Sequence, residues 1–516
     1  MNPPDQGLPG RSLPAATPAP AQPTDPVRPR VKPVDRSQLT WQMLDVERLI
    51  EAEHPARAIW ELVGQLKLDG FYETIAAVPG QAGRTPWDPR LLISLWIYAY
   101  SRGISSAREI SRRCRHEPAF QWLCGLGEIN HHTLSDFRVA QAGRLENLFT
   151  QVLAALSAEG LITLERVMHD GTKIKALASK SSFCRQERLA EHWAAARQQV
   201  EALKDPAAEE SPRQRAARAR ARRERQERLA EALHQCQELQ QAKKPSQAES
   251  VRASASDPAA RVMKQPDGGF APAYNVQLST DAAQKIIVAH AVSQSPNDYA
   301  ELLPAMTRVE ETFGQQPEQS VADGGFTCRR NILGMAARGI EFYGSLSEAN
   351  PGEAGLARRG ISPEFHPSAF QYDPPTNTYV CPQGKVLAYR RQKSRPEVVE
   401  HYYRAQRADC QACPFAGACC GSKGDPGREL VRLEERPEVK AFGQKMQTEE
   451  AKKIYRQRSE VAEFPNAWIK AKLGVRQFRL RGLSKVGLEV LWACLTYNVQ
   501  QWIRLSWLPK LAARAA

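Results

Sequence analysis

Asp170, Asp323 and Glu463 stand in surroundings that suit metal-ion chemistry. Asp170 ends the apolar run LITLERVMH and precedes a glycine, Asp323 ends SVA and precedes two, and Glu463 lies in YRQRSEVAEFPNAWIK. The pattern predicts that both aspartates close β-strands, where glycine lets the chain turn and a ligand approach the backbone. Two carboxylates from strand ends and one from a helix supply hard oxygen ligands for two Mg²⁺ ions, with Mn²⁺ as a substitute. Ions so held activate an attacking oxygen and stabilise the leaving one in phosphodiester chemistry. An aspartate beside glycine is more commonly a turn residue, so no one of the acids is informative without the others.

Sulfur makes a second constellation. Of the 11 cysteines, Cys381, Cys410, Cys413, Cys419 and Cys420 fall in one short region. Cys410 and Cys413 have the C-x₂-C spacing that lets two thiolates grip one ion, and Cys381 with Cys419 would complete a tetrahedral Cys₄ zinc site. Cys420 can replace Cys419. In a reducing compartment such a cluster reads as metal binding before disulfides, the plainer alternative being reduced, partly buried thiols. His169 points to the face of its strand opposite Asp170, which suits a core position. His131 and His132 read as polar residues at a helix start, and Asp281 and Asp298 as turn or capping acids.

These residues need a scaffold of several domains, because 516 residues exceed the roughly 100 to 200 of an ordinary domain. Residues 1–37, rich in proline and alanine, read as a disordered tail. Helical patterns fill residues 38–158, where LLISLWIYAYSRG suits a buried helix and the serines before AREISRRC, and then Thr133, can cap helix starts. This segment has the look of a small helical DNA-binding or assembly domain, in which Arg108, Arg112, Arg113 and Arg115 can hold phosphates, the plainer alternative being a purely scaffolding bundle. A mixed α/β core follows over residues 159–345, with YNVQLSTD and KIIVAHAVS as a hairpin. It is interrupted over residues 185–245 by a charged helical insert whose arginine run reads as a solvated face. Residues 346–448 look irregular and Cys-rich. Residues 449–516 return to helix, and LEVLWACLTYNVQQWIRL is apolar on nearly every side and so must be buried. The net charge of +14 favours a polyanionic partner. No stretch approaches the roughly 20 apolar residues of a membrane span. The start MNPPDQGLPGRS lacks the features of a signal peptide, so the cytoplasm is the expected compartment.

Taken together, DPRLLISLWIYAYSRG, HHTLSDFR, HDGTKIKALASK, YNVQLSTD, VADGGF, CPQGK and YRQRSEVAEFPNAWIK resemble blocks of the DDE transposases of bacterial insertion sequences, in the family whose type element is numbered eleven eighty-two. The blocks run from about residue 88 to 470. The last of them is similar to the tyrosine, arginine, glutamate and lysine signature of the wider superfamily, here Tyr455, Arg458, Glu463 and Lys470. The resemblance implies an α/β fold with an RNase H-like catalytic core, in which Asp170, Asp323 and Glu463 are the Mg²⁺-binding acids and Tyr455, Arg458 and Lys470 meet DNA. It implies double-stranded DNA as partner, both element ends and target, bound by a homodimer. The implied reaction is cleavage at the ends followed by attack of the freed 3′ hydroxyl on target DNA. Alternatives are a domesticated, non-catalytic DNA-binding regulator and a nuclease without strand transfer. Asp257, in SASDPAARVMK, matches a family block without an assigned chemical role. The spacing from Arg458 to Glu463 is one residue longer than the common form of the signature, which leaves Glu460 as a rival third acid. Pro465 argues against a continuous helix there, so the helix is expected to start near Glu463, with Lys470 two turns on along the same face.

Overall fold

The computed structural model describes residues 43–77, 85–204, 211–346, 353–420 and 427–515, and the tail expected over residues 1–37 lies outside them. Met1–Asp45 and Val46–Ala516 are separate units, and the second carries all the elements that position the acids. Its organising feature is a six-stranded mixed sheet of β1 (Arg166–Lys175), β2 (Arg261–Lys264), β3 (Phe270–Asp281), β4 (Ile287–Ser293), β5 (Gln319–Ala322) and β6 (Glu341–Tyr343). β3 pairs antiparallel with β1 on one side, and with β2 and then β4 on the other. β1 and β5 pair in parallel, as do β5 and β6. The spatial order is therefore β4, β3, β1, β5, β6, and the expected hairpin is β3 with β4. Every residue of β3 from Pro272 to Asp281 is buried, the mark of a strand covered on both faces.

β4 would leave an open edge, and a side chain covers it. Asn498 accepts a hydrogen bond from Ile287 N at 3.0 Å and donates one to Ile287 O at 2.8 Å, which blunts pairing with another chain at that point. Asn498 belongs to the helix Leu483–Trp502, which is buried almost throughout from Val486 onward, as its apolar sequence requires. Trp492 of this helix meets Trp96 of the helix Pro89–Ser101, with ring centroids 6.2 Å apart. Leu145, Leu148 and Phe149 of the helix Ala142–Ala158 and Ile287 of β4 belong to the same core. The helices within residues 38–158 thus share one core with the sheet. Into it are sealed Arg138 and Glu489, paired at 3.0 Å with side chains 5% and 1% exposed. The helix expected to open on Thr133 begins earlier, at His131, because Asn130 is the cap and accepts from His132 N.

Two further groups of elements lie outside the sheet. In the first, Gln186–Glu201 and Pro212–Gln241 fold back on each other around Leu189, Ala196, Leu229, Ala232 and Cys236. The second was expected to be irregular and is instead a five-stranded antiparallel meander of β7 (Gln371–Asp373), β8 (Thr378–Val380), β9 (Val386–Arg395), β10 (Val398–Ala405) and β11 (Glu429–Glu435). Glu435, at its end, takes a forked hydrogen bond from Arg329, which tethers the meander to the helix following β5. Among the described residues, no helix is long and apolar enough to cross a membrane.

Candidate active site

The parallel pairing of β1 and β5 stops at His169 opposite Ala322. One step further along each chain stand Asp170 and Asp323, so the register itself brings the two carboxylates to neighbouring positions. Asp170 is not the last residue of its strand, as the sequence suggested. β1 runs on to Lys175 because β3 continues to pair with it, and it is the neighbour β5 that ends and leaves Asp170 open.

Alternation places Asp170 and Thr172 on one face of β1, and His169, Gly171 and Lys173 on the other. Over the first face lies the helix Arg458–Ala471, from which Asn466 Nδ2 donates to Asp170 Oδ2 at 2.9 Å and Lys470 Nζ donates to Thr172 Oγ1. Arg458 stands 4.0 Å from Asp170 Oδ1 and 3.4 Å from Glu463 Oε1. Asp170 and Glu463 are therefore linked through a guanidinium, with the Glu463 side chain still half-exposed. Burial pushes the Asp170 carboxyl up to about 6, Arg458 opposes the rise, and the charge of Asp323 adds to it. Burial likewise pushes the Lys470 ammonium down, against the pull of Asp170.

The signature helix begins at Arg458, not near Glu463, and holds Pro465 in its interior. Proline there removes the hydrogen bond to the Val461 carbonyl, a loss of about 3 kcal/mol. Burial of Val461, Ala462, Pro465 and Ile469 along one face offsets it. The break falls instead at Gln457, where this helix meets Glu449–Arg456. Glu460, the rival acid, is exposed and bound by Lys285 Nζ at 2.7 Å. Tyr455 lines a cleft of about 590 Å³ with Arg329, Lys452 and Arg456, and Asp170 is not part of that lining.

Beneath the acids, on the other face of β1, is a polar network that sequence reasoning missed. Asp298 accepts from Lys173 Nζ at 3.0 Å, Asn275 Nδ2 at 2.7 Å and Gln277 Nε2 at 2.9 Å. Burial works against its charge, but the bonds from Asn275, Lys173 and Gln277 hold the carboxyl below its ordinary range. A Cβ at Gly171 would stand 2.7 Å from Asp298 Oδ1 and 2.8 Å from Gln277 Nε2, so any larger residue would have to displace this network. His169 is buried on this face, bonded to Ser279 and Gln277, as its parity in the strand predicts. Asp281 is a capping acid, accepting from Leu164 N at 2.8 Å and Ala283 N at 3.0 Å. Asp257 accepts from Tyr274 at 2.8 Å and from Gly482 N at 3.0 Å, which ties down the entry to the helix Leu483–Trp502. The signal for Asn466 was present in the sequence: it lies three residues after Glu463 and four before Lys470, hence on their face.

A stability effect follows from the Asp170 carboxyl. An acid raised from 3.8 to about 6 in the fold binds its proton more tightly folded than unfolded, so it lowers stability as pH rises through that window. In metal-free protein, Asp170→Asn is expected to raise the unfolding free energy above pH 6 by up to about 3 kcal/mol, at 1.4 kcal/mol per unit, and the gain should shrink toward pH 4. Thermal unfolding of both proteins at pH 8 and pH 4.5 measures it; an asparagine variant less stable at pH 8 contradicts the account.

Cys381, Cys410, Cys413, Cys419 and Cys420 line one cavity of about 30 Å³. The turn after Cys381 aims Lys385 N at its sulfur, 3.3 Å away, and Gly384 makes that turn with φ of 74°. Burial pushes the Cys419 thiol up, and the Cys420 thiol to about 12. Among the described residues, no three His, Cys, Asp or Glu side chains are arranged to hold one ion, either here or at Asp170. Of the arginines expected at DNA, Arg112 and Arg113 are bound to Glu109, Arg113 also to Glu117, and Arg115 to Glu128. Arg108 is exposed.

Two family models match the chain: a transposase DDE domain over residues 380–503 and a transposase domain (DUF772) over residues 44–140. The first takes in the Cys381 turn, the whole signature helix and all of the buried helix Leu483–Trp502. The second takes in the helices from Pro55 to His131–Ala140. No curated protein and no solved structure matches the chain. Transposase models thus match both its N-terminal helices and the segment that carries Arg458, Glu463 and Lys470, and together they support a DDE transposase of insertion sequences.

Proposed function

We propose that this chain cuts the phosphodiester bonds at the ends of its element and joins the freed 3′ hydroxyls to target DNA, using divalent ions held by Asp170, Asp323 and Glu463. The observation that carries this reading is the β1–β5 register, which sets Asp170 beside Asp323 under the helix bearing Arg458, Glu463, Asn466 and Lys470. The strand order β4, β3, β1, β5, β6, with its first three strands antiparallel and its last two parallel to β1, supports the RNase H-like core that the resemblance implies.

The donor set fits Mg²⁺ or Mn²⁺. It consists of hard oxygens, the buried Asp170 carboxylate lacks full compensation for its charge, and Asn466 Oδ1 is buried without a hydrogen-bond partner beside it. When bound, the ions supply Lewis-acid activation of water or hydroxyl and neutralise the leaving oxygen. The chain's own residues do the rest. Asp170 and Asp323 bind from the sheet, and Asn466 fixes the Asp170 rotamer. Arg458, shared between Asp170 and Glu463, is an anion receptor that a DNA phosphate can claim, which frees Glu463 for metal. Lys470, anchored on Thr172, places a cation next to the same phosphate. The helices up to residue 158, with Arg108 as an exposed cation, recognise the ends, and two chains act together on paired ends. Incubation of the purified protein with DNA carrying the element's ends and Mg²⁺ tests the reading: cleaved and joined strands on a denaturing gel are expected, and intact DNA contradicts it.

The cysteine cavity is proposed to hold a structural zinc. Its support is that five cysteines line one small cavity, with a backbone N–H on one of the sulfurs. About one zinc per chain is expected by metal analysis. Cys410→Ser should lower zinc content and loosen the meander while Mg²⁺ remains the ion required for cleavage. A zinc-free chain of undiminished stability counts against it.

A further inference from the structure

Residues 472–485, directly after the signature helix, contain Lys472, Arg476, Arg479, Arg481 and Lys485 and no acidic residue. All of these cations are exposed, and among the described residues none of them makes an ion pair. They differ in this from Arg112, Arg113 and Arg115, whose charges glutamates already meet. Resting on the transposase reading, we propose that this segment is the surface that holds the phosphate backbone of duplex DNA beside the Asp170 site.

The segment is built as a rigid rim. Leu473, Val475 and Phe478 are buried, at most 2% exposed, and turn the residues between them outward. Its backbone is fastened to neighbouring elements: Phe478 N donates to Lys175 O at 2.9 Å, Arg479 N and Leu480 N to Glu489, and Gly482 N to Asp257. Each arginine also spends Nε on the protein, Arg476 on Lys470 O at 3.3 Å, Arg479 on Ser105 Oγ at 2.9 Å and Arg481 on Leu177 O at 3.2 Å. The outer nitrogens of three guanidiniums are thereby oriented while, among the described residues, none of them is taken up in an ion pair, an arrangement suited to forked contacts with phosphate oxygens. The rim follows Lys470, whose carbonyl Arg476 holds, and meets β1 at Lys175, five residues from Asp170. At about 3.3 Å per strand residue that is about 16 Å, or roughly five nucleotides of one DNA strand. A backbone whose scissile phosphate lies at Asp170 therefore runs within reach of the rim.

The test is the salt dependence of binding to a mixed-sequence DNA duplex. Three variants are compared with the native chain: a triple Arg476→Gln, Arg479→Gln, Arg481→Gln, the same positions changed to lysine, and a double Arg112→Gln, Arg113→Gln. Each phosphate that the protein no longer neutralises makes the slope of log K against log salt shallower by roughly 0.9, so the glutamine triple should flatten it by about 2.7. The lysine triple, which keeps the charge and drops the Nε anchors, should keep most of the slope. The double variant should keep all of it. A glutamine triple with the native slope overturns the rim, as does a lysine triple whose slope flattens as much as that of the glutamine one, since missing anchors and not missing charge are then responsible. If the native chain does not bind duplex DNA at all, the transposase reading falls and the rim with it, a result distinct from an unchanged slope.

Discussion

Asp170→Asn and Asp323→Asn are each expected to abolish cleavage and joining of end DNA, by roughly a thousandfold or more, while leaving duplex binding intact. An amide keeps the size of the carboxylate but removes its charge and one good oxygen ligand. The loss of about 4 kcal/mol of metal-borne stabilisation corresponds to a factor of about a thousand at 1.4 kcal/mol per decade. Folding should survive, since the Asn466 amide, which donates to Asp170 in the native chain, can still donate to the side-chain oxygen that Asp170→Asn leaves in place. The third acid is the discriminating position. Glu463 shares Arg458 with Asp170, whereas Glu460 is exposed and held by Lys285. Glu463→Gln should therefore be as inactive as the aspartate variants and Glu460→Gln close to native. The reverse pattern transfers the role to Glu460, and full activity in all three amide variants removes the metal mechanism altogether. Single-turnover cleavage followed on gels, with binding measured in parallel, separates these results.

The second large effect is on stability. Arg138 and Glu489 are sealed in the core at 3.0 Å, and the guanidinium also donates to Ser105 O and lies over the Trp96 ring at 5.0 Å. Glu489 additionally accepts from the backbone of Arg479 and Leu480. Removing one member leaves the other as an unpaired buried charge, which costs about 3 to 5 kcal/mol. Glu489→Ala is expected to lose that much in urea unfolding. The double Glu489→Leu, Arg138→Met should recover part of it, because replacing both charges removes the unpaired one. It should not recover all, since the N–H groups of Arg479 and Leu480 lose their acceptor. A single variant losing under about 1 kcal/mol means that water or another acid reaches the pair.

Several features could be read in the sequence because they are local. The helix Leu483–Trp502 announces its burial through composition, and the β3–β4 hairpin through two strand-like runs around a polar turn. The turn beyond Asp323 shows in its glycines. What could not be read is set by pairing between distant segments. The neighbouring positions of Asp170 and Asp323 depend on where β5 stops against β1, and nothing near either residue encodes that register. The extent of β1 past Asp170 depends on β3 in the same way. The meander escaped notice because β9 exposes nearly every residue and so has no alternation of apolar and polar positions. Pro465 misled because its local penalty is outweighed by packing that only the fold supplies. The arginines before residue 116 suggested DNA contact by charge alone, and whether such charges are already spoken for is a property of the folded surface.

The placement of Leu483–Trp502 bears on how the chain is made. Its Trp492 indole donates to the carbonyl of Arg138, 354 positions earlier, and its Asn498 covers the backbone of β4. A nascent chain that has emerged only as far as the signature helix already carries its acids, but the apolar faces around Trp96, Leu148 and Ile287 have nothing to close them. Contacts across so long a stretch form late and leave sticky intermediates in the meantime. The native core, and any activity that needs it, thus appears only after translation has passed residue 502, and a message cut short before that point yields an aggregation-prone fragment in place of a partly active enzyme.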